Sequence, residues 1–547
     1  MNSKTTSRAN MLARAGALAL ILAAPAAAQD IQVRELGALD PLEVNVAERP
    51  LSNDMWRNSN AATAAAALRA LPGPDDEGYG SAAVADFAGR VLLSGGNPPE
   101  GGRGNEALAV LRAERVLAST GPIAGYALLE RTPGLERLPN LARWHAELGF
   151  ALGETASACR TTNGLVSGRN QAYWLRARAF CHAIAGEDAA AELSADLASA
   201  AERDSDFDTL LYAVTIGQWN DPDVSIDTGL ELALARVASG EAQPQLDLSD
   251  APSWLVEVAE VTSEPVEMPD EFGAALTFAE TLQGAERRSA WDQLIRQEYD
   301  RMTAGLALGH ALADAAEEDR FLTVARRYGS QVSSVPVTHA TLAHGHRFVL
   351  AALVVNDLES ARRWRRALDD GPPRRRMQTP ATIDDLIGKG PDEGPAMQPQ
   401  PAFEDEPVWS PPAPRLLVAL DLAMAVAQNQ LGRDSMIAIT GARLEAGPQG
   451  VGDVAMLALL GAPVSPDWRV ALLETEAQAS PALMGMAAAS ASGAHGETAL
   501  FAAAALQDGL TNAAPGTLMQ VVSALDRAGL SDAARDLLLA RIIEETA

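Results

Sequence analysis

AYWLRARAFCHAIAGEDAAAELSADL, Ala172 to Leu197, holds the pattern that organises most of the chain. Tyr173 to Ile184 lacks glycine and proline and repeats apolar residues at helical spacing, which predicts an amphipathic helix. Gly186-Glu187-Asp188 then supplies a turn, with Asp188 placed to cap a second helix. Ala189 to Leu197 predicts that second helix. Its Ala190 and Ala191 stand where two helix axes must approach closely. Such a hairpin cannot bury its own apolar face, so a stable protein needs further hairpins stacked against it.

On both sides of this segment the same order recurs, four more times in all. Leu111–Ser119 runs through Gly121 into Ile123–Leu129. Phe348–Val355 runs through Asn356-Asp357 into Leu358–Leu368, with Ala361 on the second helix. Leu416–Gln430 runs through Gly432 into Asp434–Leu444. Val521–Ala528 runs through Gly529 into Ser531–Ile543, with Ala533 and Ala534. In four of the five pairs an Asp or Ser after the turn is placed to cap the second helix. Aromatic residues make up only 5% of the chain, and no series of period-2 segments interrupts the alanine-rich ones. The fold expected is all-α, an α-solenoid of helix–turn–helix repeats, preceded by an extended N-terminal segment.

Ala172–Leu197 and VLAALVVNDLESARRWRRAL (Val349–Leu368) resemble tetratricopeptide-like repeats, the Sel1 type included, in their apolar positions, their G/N-D turn and the alanines of the second helix. The full 34-residue consensus of that family is absent and the units are unevenly spaced. GALDPLEVN (Gly37–Asn45), MWRNS (Met55–Ser59) and RARAFCHAIAGEDAAAEL give the layout a resemblance to an uncharacterised group of alanine-rich exported alphaproteobacterial proteins. That resemblance implies export and helical repeats, and no activity.

The first 28 residues read as a cleavable signal peptide. Lys4, Arg8 and Arg14 are basic, Ala15–Ala24 is apolar, Pro25 breaks the helix, and Ala26-Ala27-Ala28 offers small residues to a peptidase. The apolar run is about half the roughly 20 residues needed to span a bilayer. The expectation is a chain that starts at Gln29 and resides in a periplasm. Lysine occurs only at Lys4 and Lys389, arginine supplying the other basic residues, a bias that suits a GC-rich bacterial genome. The net charge of −29 becomes about −32 once the leader's three positive charges are lost. So acidic a surface repels phosphate backbones and anionic headgroups, which argues against nucleic acid and direct membrane insertion.

Residues 29–59, with Pro41 and Pro50, read as extended, with Leu51 and Trp56 as apolar anchors. Residues 60–370 form a first helical-repeat region and 416–547 a second. Between them, 371–415 holds eleven prolines, Arg374-Arg375-Arg376 and Glu404-Asp405-Glu406, too little apolar surface to offset the entropy of ordering. It is expected to be a disordered linker that trypsin cuts early. Glu241–Asp270, with four prolines, is a weaker interruption.

Chemistry is sparsely signalled. Cys159 and Cys181 are the only cysteines, and in an oxidising compartment the pair is expected to form a structural disulfide. Without C-x-x-C a redox role is disfavoured. His339, His344 and His346 lie within eight residues; on a single helix 344 and 346 would diverge, so zinc is not expected. SGGNPPEGGRGNEAL, Ser94–Leu108, lacks the Gly-Lys-Ser/Thr ending of a phosphate loop and reads as a loop with Asn105 capping the next helix. SGAHGETALF (Ser492–Phe501) and GTLMQ (Gly516–Gln520) resemble elements of soluble lytic transglycosylases, but no Glu-Ser acid motif precedes Ser492 at the distance that family implies; the one Glu-Ser pair, Glu359-Ser360, lies inside a helical hairpin before the proline-rich stretch. No catalytic, cofactor-binding or metal residue is assigned. The expectation is a non-enzymatic scaffold for a protein or peptide partner, with envelope assembly as its setting. The alternative is a wall-cleaving enzyme using a carboxylate in a superhelix groove.

Overall fold

The computed structural model describes residues 39–219, 223–240, 246–249, 251–261, 266–269, 271–296, 301–372, 409–432, 435–444, 448–464 and 480–547. The leader, most of the proline-rich stretch and Arg374–Arg376 lie outside these. Among the described residues the protein is all-helical, with two isolated β-bridges and no strand. None of the described helices is long and apolar enough to cross a membrane.

The helices are α1 Ala61–Arg69, α2 Ala82–Leu93, α3 Glu106–Glu130, α4 Pro139–Ala151, α5 Thr155–Gly164, α6 Ala172–Ile184, α7 Asp188–Ala201, α8 Ser205–Ile216, α9 Gly229–Ser239 and α10 Ser253–Val261. They continue as α11 Phe272–Thr281, α12 Gly284–Arg296, α13 Arg301–Glu317, α14 Phe321–Tyr328, α15 His339–Leu342, α16 Gly345–Val354 and α17 Leu358–Asp370. After the proline-rich stretch come α18 Pro414–Ala427, α19 Ser435–Leu444, α20 Pro448–Leu459, α21 Pro481–Ser492, α22 His495–Ala505, α23 Pro515–Arg527 and α24 Ser531–Thr546.

Sequence neighbours pack as helical hairpins, most extensively α6 on α7, α21 on α22 and α16 on α17. Three of the turns are where the sequence puts them, while after α18, which ends at Ala427, the left-handed residue is Asn429 at φ +53° in place of Gly432. Gly186 and Gly529 adopt φ of +74° and +72°, and Asn356 +58°, a left-handed region closed to most side chains. Gly121, at φ +78°, breaks α3 sharply ahead of Pro122. Capping is sparser than expected. Asp357 accepts from the Ser360 N–H at 3.0 Å, whereas Asp188 and Ser531 each sit one residue inside their helices and cap nothing.

Asp40–Ala547 forms one compact unit. One apolar core gathers α1, α2 and α11–α24 with Leu108, Val116 and Leu128 of α3; a second lies among α3–α10 around Phe150, Trp174, Phe180 and Phe207. The regions on either side of the proline-rich stretch therefore share a core. Trp409, at its end, docks by donating its indole N–H to the Leu368 carbonyl at 2.9 Å.

The first helices of this unit pack on the last. α2 lies against α22 and α24, and α1 against α22. The Gly80 N–H donates to the Gln507 carbonyl at 2.7 Å, and the Gly496 N–H to the Met55 carbonyl at 2.8 Å. A Cβ at Gly80 would stand 2.6 Å from the Asp508 carbonyl oxygen, so glycine is required at that approach. From Asp40 to Asn60 the chain has no α-helix. Leu42, Met55 and Trp56 are buried there, anchoring the segment as expected for Leu51 and Trp56.

The Arg112 guanidinium holds that segment down. Fully buried on α3, it donates to the carbonyls of Leu92 (2.7 Å), Pro41 (2.9 Å), Val44 (2.8 Å) and Ser94 (3.1 Å). Burial lowers its pKa to about 10, with Asp40 opposing, so it stays charged at neutral pH.

Cys159 and Cys181 are bonded, with Cα atoms 5.7 Å apart. The first helix of the pair runs past Cys159 to Gly164, so the bridge clamps the middle of α5 to the last turn of α6. A loop of this length contributes about 3 kcal/mol on the chain-entropy model. Cys181→Ser should lower unfolding stability by a few kcal/mol at most and leave the far-ultraviolet helical signal in place. Thiol titration of the unreduced, unfolded protein should find no free thiol; two reactive thiols would contradict the bridge.

Candidate functional site

Where the first helices meet the last, a two-lobed cleft opens. In α2 the sequence AAVADFAGRVLL buries Val84, Phe87, Ala88 and Val91. Helical spacing then leaves Asp86 and Arg90, one turn apart, on the other face. In α14, FLTVARRY buries Phe321, Leu322, Ala325 and Tyr328 and turns Arg326 and Arg327 outward. α24 adds Arg535 and Asp536, and the N-terminal segment adds Arg49.

One lobe, of about 510 Å³, has an apolar floor that includes Phe87, Leu322, Val426, Leu537 and Ile543. Its rim carries Arg49, Arg90, Arg326 and Arg535 against Asp86 and Asp536. The other, of about 640 Å³, carries Asp76, Glu77, Asp86 and Glu257 against Arg326 and Arg327, beside Trp254, Thr120 and the bare backbone at Gly121. Both sizes fall in the ~300–1,000 Å³ range of ligand clefts. Asp86 and Arg326, which pair with each other, line both lobes.

Charge is segregated between them. The first lobe has two more cationic than anionic side chains, in a chain whose net charge is −29. Its ion pairs are exposed. Arg49 stands 3.4 Å from Asp536, and such pairs are individually weak and exchange partners readily. Arg90, half-buried, donates from Nε to the Arg49 carbonyl at 2.7 Å and has no carboxylate partner among the described residues. Burial, and then the Arg49 charge, lower the pKa of Arg90 and of Arg326. Arg49 is thus held close enough to Arg90 and to Arg326 to repel both. Burial raises Asp536, opposed by Arg49 and Arg90.

Two carboxyls are displaced to near neutrality, and neither lines the cleft. Glu147, fully buried on α4, is pushed up to about 7 by burial, with the Arg143 charge opposing. It accepts from the Gly229 N–H at 2.7 Å, so it caps the start of α9. Glu544, near the C-terminal end of α24, accepts from the Ser81 hydroxyl at 2.5 Å. It too is pushed up to about 7, by burial first, with the Ser81 bond opposing. Glu544 thereby ties the last helix to the first turn of α2.

The Glu544 shift has a definite sign. Its folded pKa lies above the ordinary 4.5, so its stabilisation is complete below pH 4.5 and is lost as pH rises through about 7. Discounted for partial exposure, the loss is about 2 kcal/mol. His344 and His346, both lowered to about 4 chiefly by burial, act oppositely, losing stability as pH falls from 6.5 through 4. Chemical denaturation of Glu544→Gln beside the wild type isolates the glutamate. The variant's stability relative to wild type should climb by about 2 kcal/mol between about pH 5 and 8; parallel profiles would rule the shift out.

The histidines reach different surroundings from those a single helix would give. α15 ends at Leu342 and α16 starts at Gly345, so His339 and His346 sit on separate helices. His344, at the break, meets His310 at a tilt of 59° with ring centroids 4.9 Å apart, and His310 stacks on Trp291 at 5.4 Å. Among the described residues no three metal-binding side chains cluster. The Ser94–Leu108 loop packs its first two glycines on backbone of the N-terminal segment. A Cβ on Gly95 would overlap Glu43 and Val44, and one on Gly96 would crowd Asn53. Asn105 accepts from the Leu108 N–H at 3.1 Å, capping α3. Ser492–Phe501 and Gly516–Gln520 fall in the helices α21–α22 and α23. The acidic residue of the first, Glu497, is buried and accepts from the Thr63 hydroxyl at 2.5 Å.

The arginines of the cleft had no sequence signature. They come from four segments, positions 49, 90, 326 and 535, that meet only because the first helices pack on the last. Away from the cleft, α7 lays its alanine face on α6 and exposes Leu193 and Leu197 by 61% and 50%. Compared with family models, with curated proteins and with solved structures, the chain matches none.

Proposed function

We propose that this chain is an exported, non-enzymatic helical-repeat scaffold of the periplasm that holds a protein or peptide partner in its two-lobed cleft, in the service of envelope assembly. The observation that carries the reading is the cleft itself: an apolar floor with an arginine rim, in a chain whose surface is otherwise strongly acidic. A floor of this kind gives a partner side chain somewhere to be desolvated, and the rim orients it. The tetratricopeptide-like hairpins and the leader-like N-terminus support the same reading. The wall-cleaving alternative has carboxylates available at Asp86 and Glu257. A general acid needs a raised pKa at the reacting bond; the one raised carboxyl on the cleft rim, Asp536, stands against Arg49 and Arg90, which oppose the shift, and the two carboxyls raised to about 7 are elsewhere, each bonded to a structural group.

Two assays on the full chain separate the readings. Wild-type protein should capture a discrete partner from the exported fraction, and Val355→Glu, on the cleft wall, should not. Peptidoglycan incubated with the protein should stay intact. Digestion that disappears with Asp86→Asn or Glu257→Gln would overturn the proposal in favour of the enzyme.

A further inference from the structure

The cleft's chemistry narrows the kind of group that can occupy it. The arginine lobe offers four guanidiniums above a floor of Phe87, Leu322, Val426, Leu537 and Ile543. Arg90 has no carboxylate partner among the described residues, and the pairs made by Arg49 and Arg326 are exposed. A group that suits this lobe is an anion joined directly to an apolar side chain. The anion would draw the guanidiniums into charge-assisted hydrogen bonds, and a carboxylate matches their planar fork. The floor would take the side chain.

The second lobe decides what the carboxylate is attached to. It adjoins the first at the Asp86–Arg326 pair, which lines both, and is lined by Asp76, Glu77 and Glu257 with Arg327 and Trp254. An alkyl chain leaving the arginine lobe in that direction would find Leu117 and Trp254 but leave the charges of Asp76, Glu77, Glu257 and Arg327 without partners from it. A peptide backbone brings N–H donors, and any basic side chain on it finds an opposite charge. Resting on the scaffold reading above, we infer that the cleft recognises the free C-terminus of a peptide chain. Its last residue is apolar and seated on the Phe87–Ile543 floor. Its α-carboxylate lies among Arg49, Arg90, Arg326 and Arg535. The residues before it are polar or basic and run into the acidic lobe.

Equilibrium dialysis of the full-length protein tests this with three probes. These are a mixed-sequence pentapeptide pool ending in leucine with a free carboxylate, the same pool C-amidated, and decanoate. The free-acid pool should be retained and the amide at least about tenfold less so. Arg90→Gln and Arg535→Gln should each bring free-acid retention toward the amide level without changing the amide's. Both variants are checked for an unchanged helical signal. Equal retention of acid and amide overturns the inference. So does retention of decanoate with no peptide bound, which would make the lobe a fatty-acid site. Partner capture by wild type distinguishes the levels of failure. If no peptide binds but capture persists and is lost with Val355→Glu, the cleft reading stands and C-terminal recognition fails. If capture is also absent, both fail.

Discussion

Arg112→Met should destabilise the protein by about 3–5 kcal/mol and release the segment from Asp40 to Asn60 from the helices beneath it. The side chain is 3% exposed, and its hydrogen bonds are all to carbonyl oxygens, two in that segment and two at the end of α2. Methionine keeps much of the volume and removes every donor. Four carbonyls are left to find other partners, and each buried one that fails costs about 1–3 kcal/mol. Lysine would restore the charge but cannot span four acceptors arranged for a planar fork. Arg112→Lys should therefore recover less than half of the loss. Urea unfolding gives the energies. Proteolysis of the native variant should cut before residue 60 at a rate that wild type does not show. A variant within about 1 kcal/mol of wild type would mean that the staple contributes little.

Asp453→Ala should have a comparable effect at the other end of the unit. Asp453 is 0% exposed on α20. It accepts from Arg541 Nε on α24 and from Arg443 Nε on α19, each at 2.6 Å. Glu545 completes the group, 2.8 Å from Arg541 and paired also with Arg443. Removing the central carboxylate leaves two guanidiniums sharing one acid in a largely dry site. Breaking a buried pair from one side typically costs about 3–5 kcal/mol. The double change Asp453→Ala with Arg541→Met should recover part of that, because it leaves one guanidinium, Arg443, facing one acid, Glu545. If the double variant is less stable than the single one by the full cost of a second buried loss, the two residues are not coupled as the geometry requires.

These two sites mark the boundary of what the sequence disclosed. The hairpins were legible because a local rule writes each of them. Gly186, Asn356 and Gly529 must take left-handed backbone, and apolar residues at helical spacing flank each turn. The disulfide was legible because two cysteines allow one pairing. Arg112 and Asp453 were not, since an arginine bonded to carbonyls 18 to 71 residues away looks like any surface arginine. The packing of α1 and α2 on α22 and α24 was equally invisible. It depends on glycines such as Gly80 and Gly496 whose requirement comes from a backbone more than 400 residues distant. The cleft inherits that invisibility. Reading 339, 344 and 346 on one helix failed for a local reason: the chain breaks between α15 and α16, and His344 turns to the distant His310.

The role of the cleft is tested most directly by site-specific photocrosslinking in the cells that make the protein. A photoreactive side chain at Val355, on the cleft wall, is compared with one at Leu193, on the open face of α7. Binding in the cleft requires a discrete covalent adduct from Val355 that is lost when Arg90→Gln is added, and none of that size from Leu193. An adduct from Leu193 with none from Val355 would place the partner on the outer helices and contradict the cleft as the binding site.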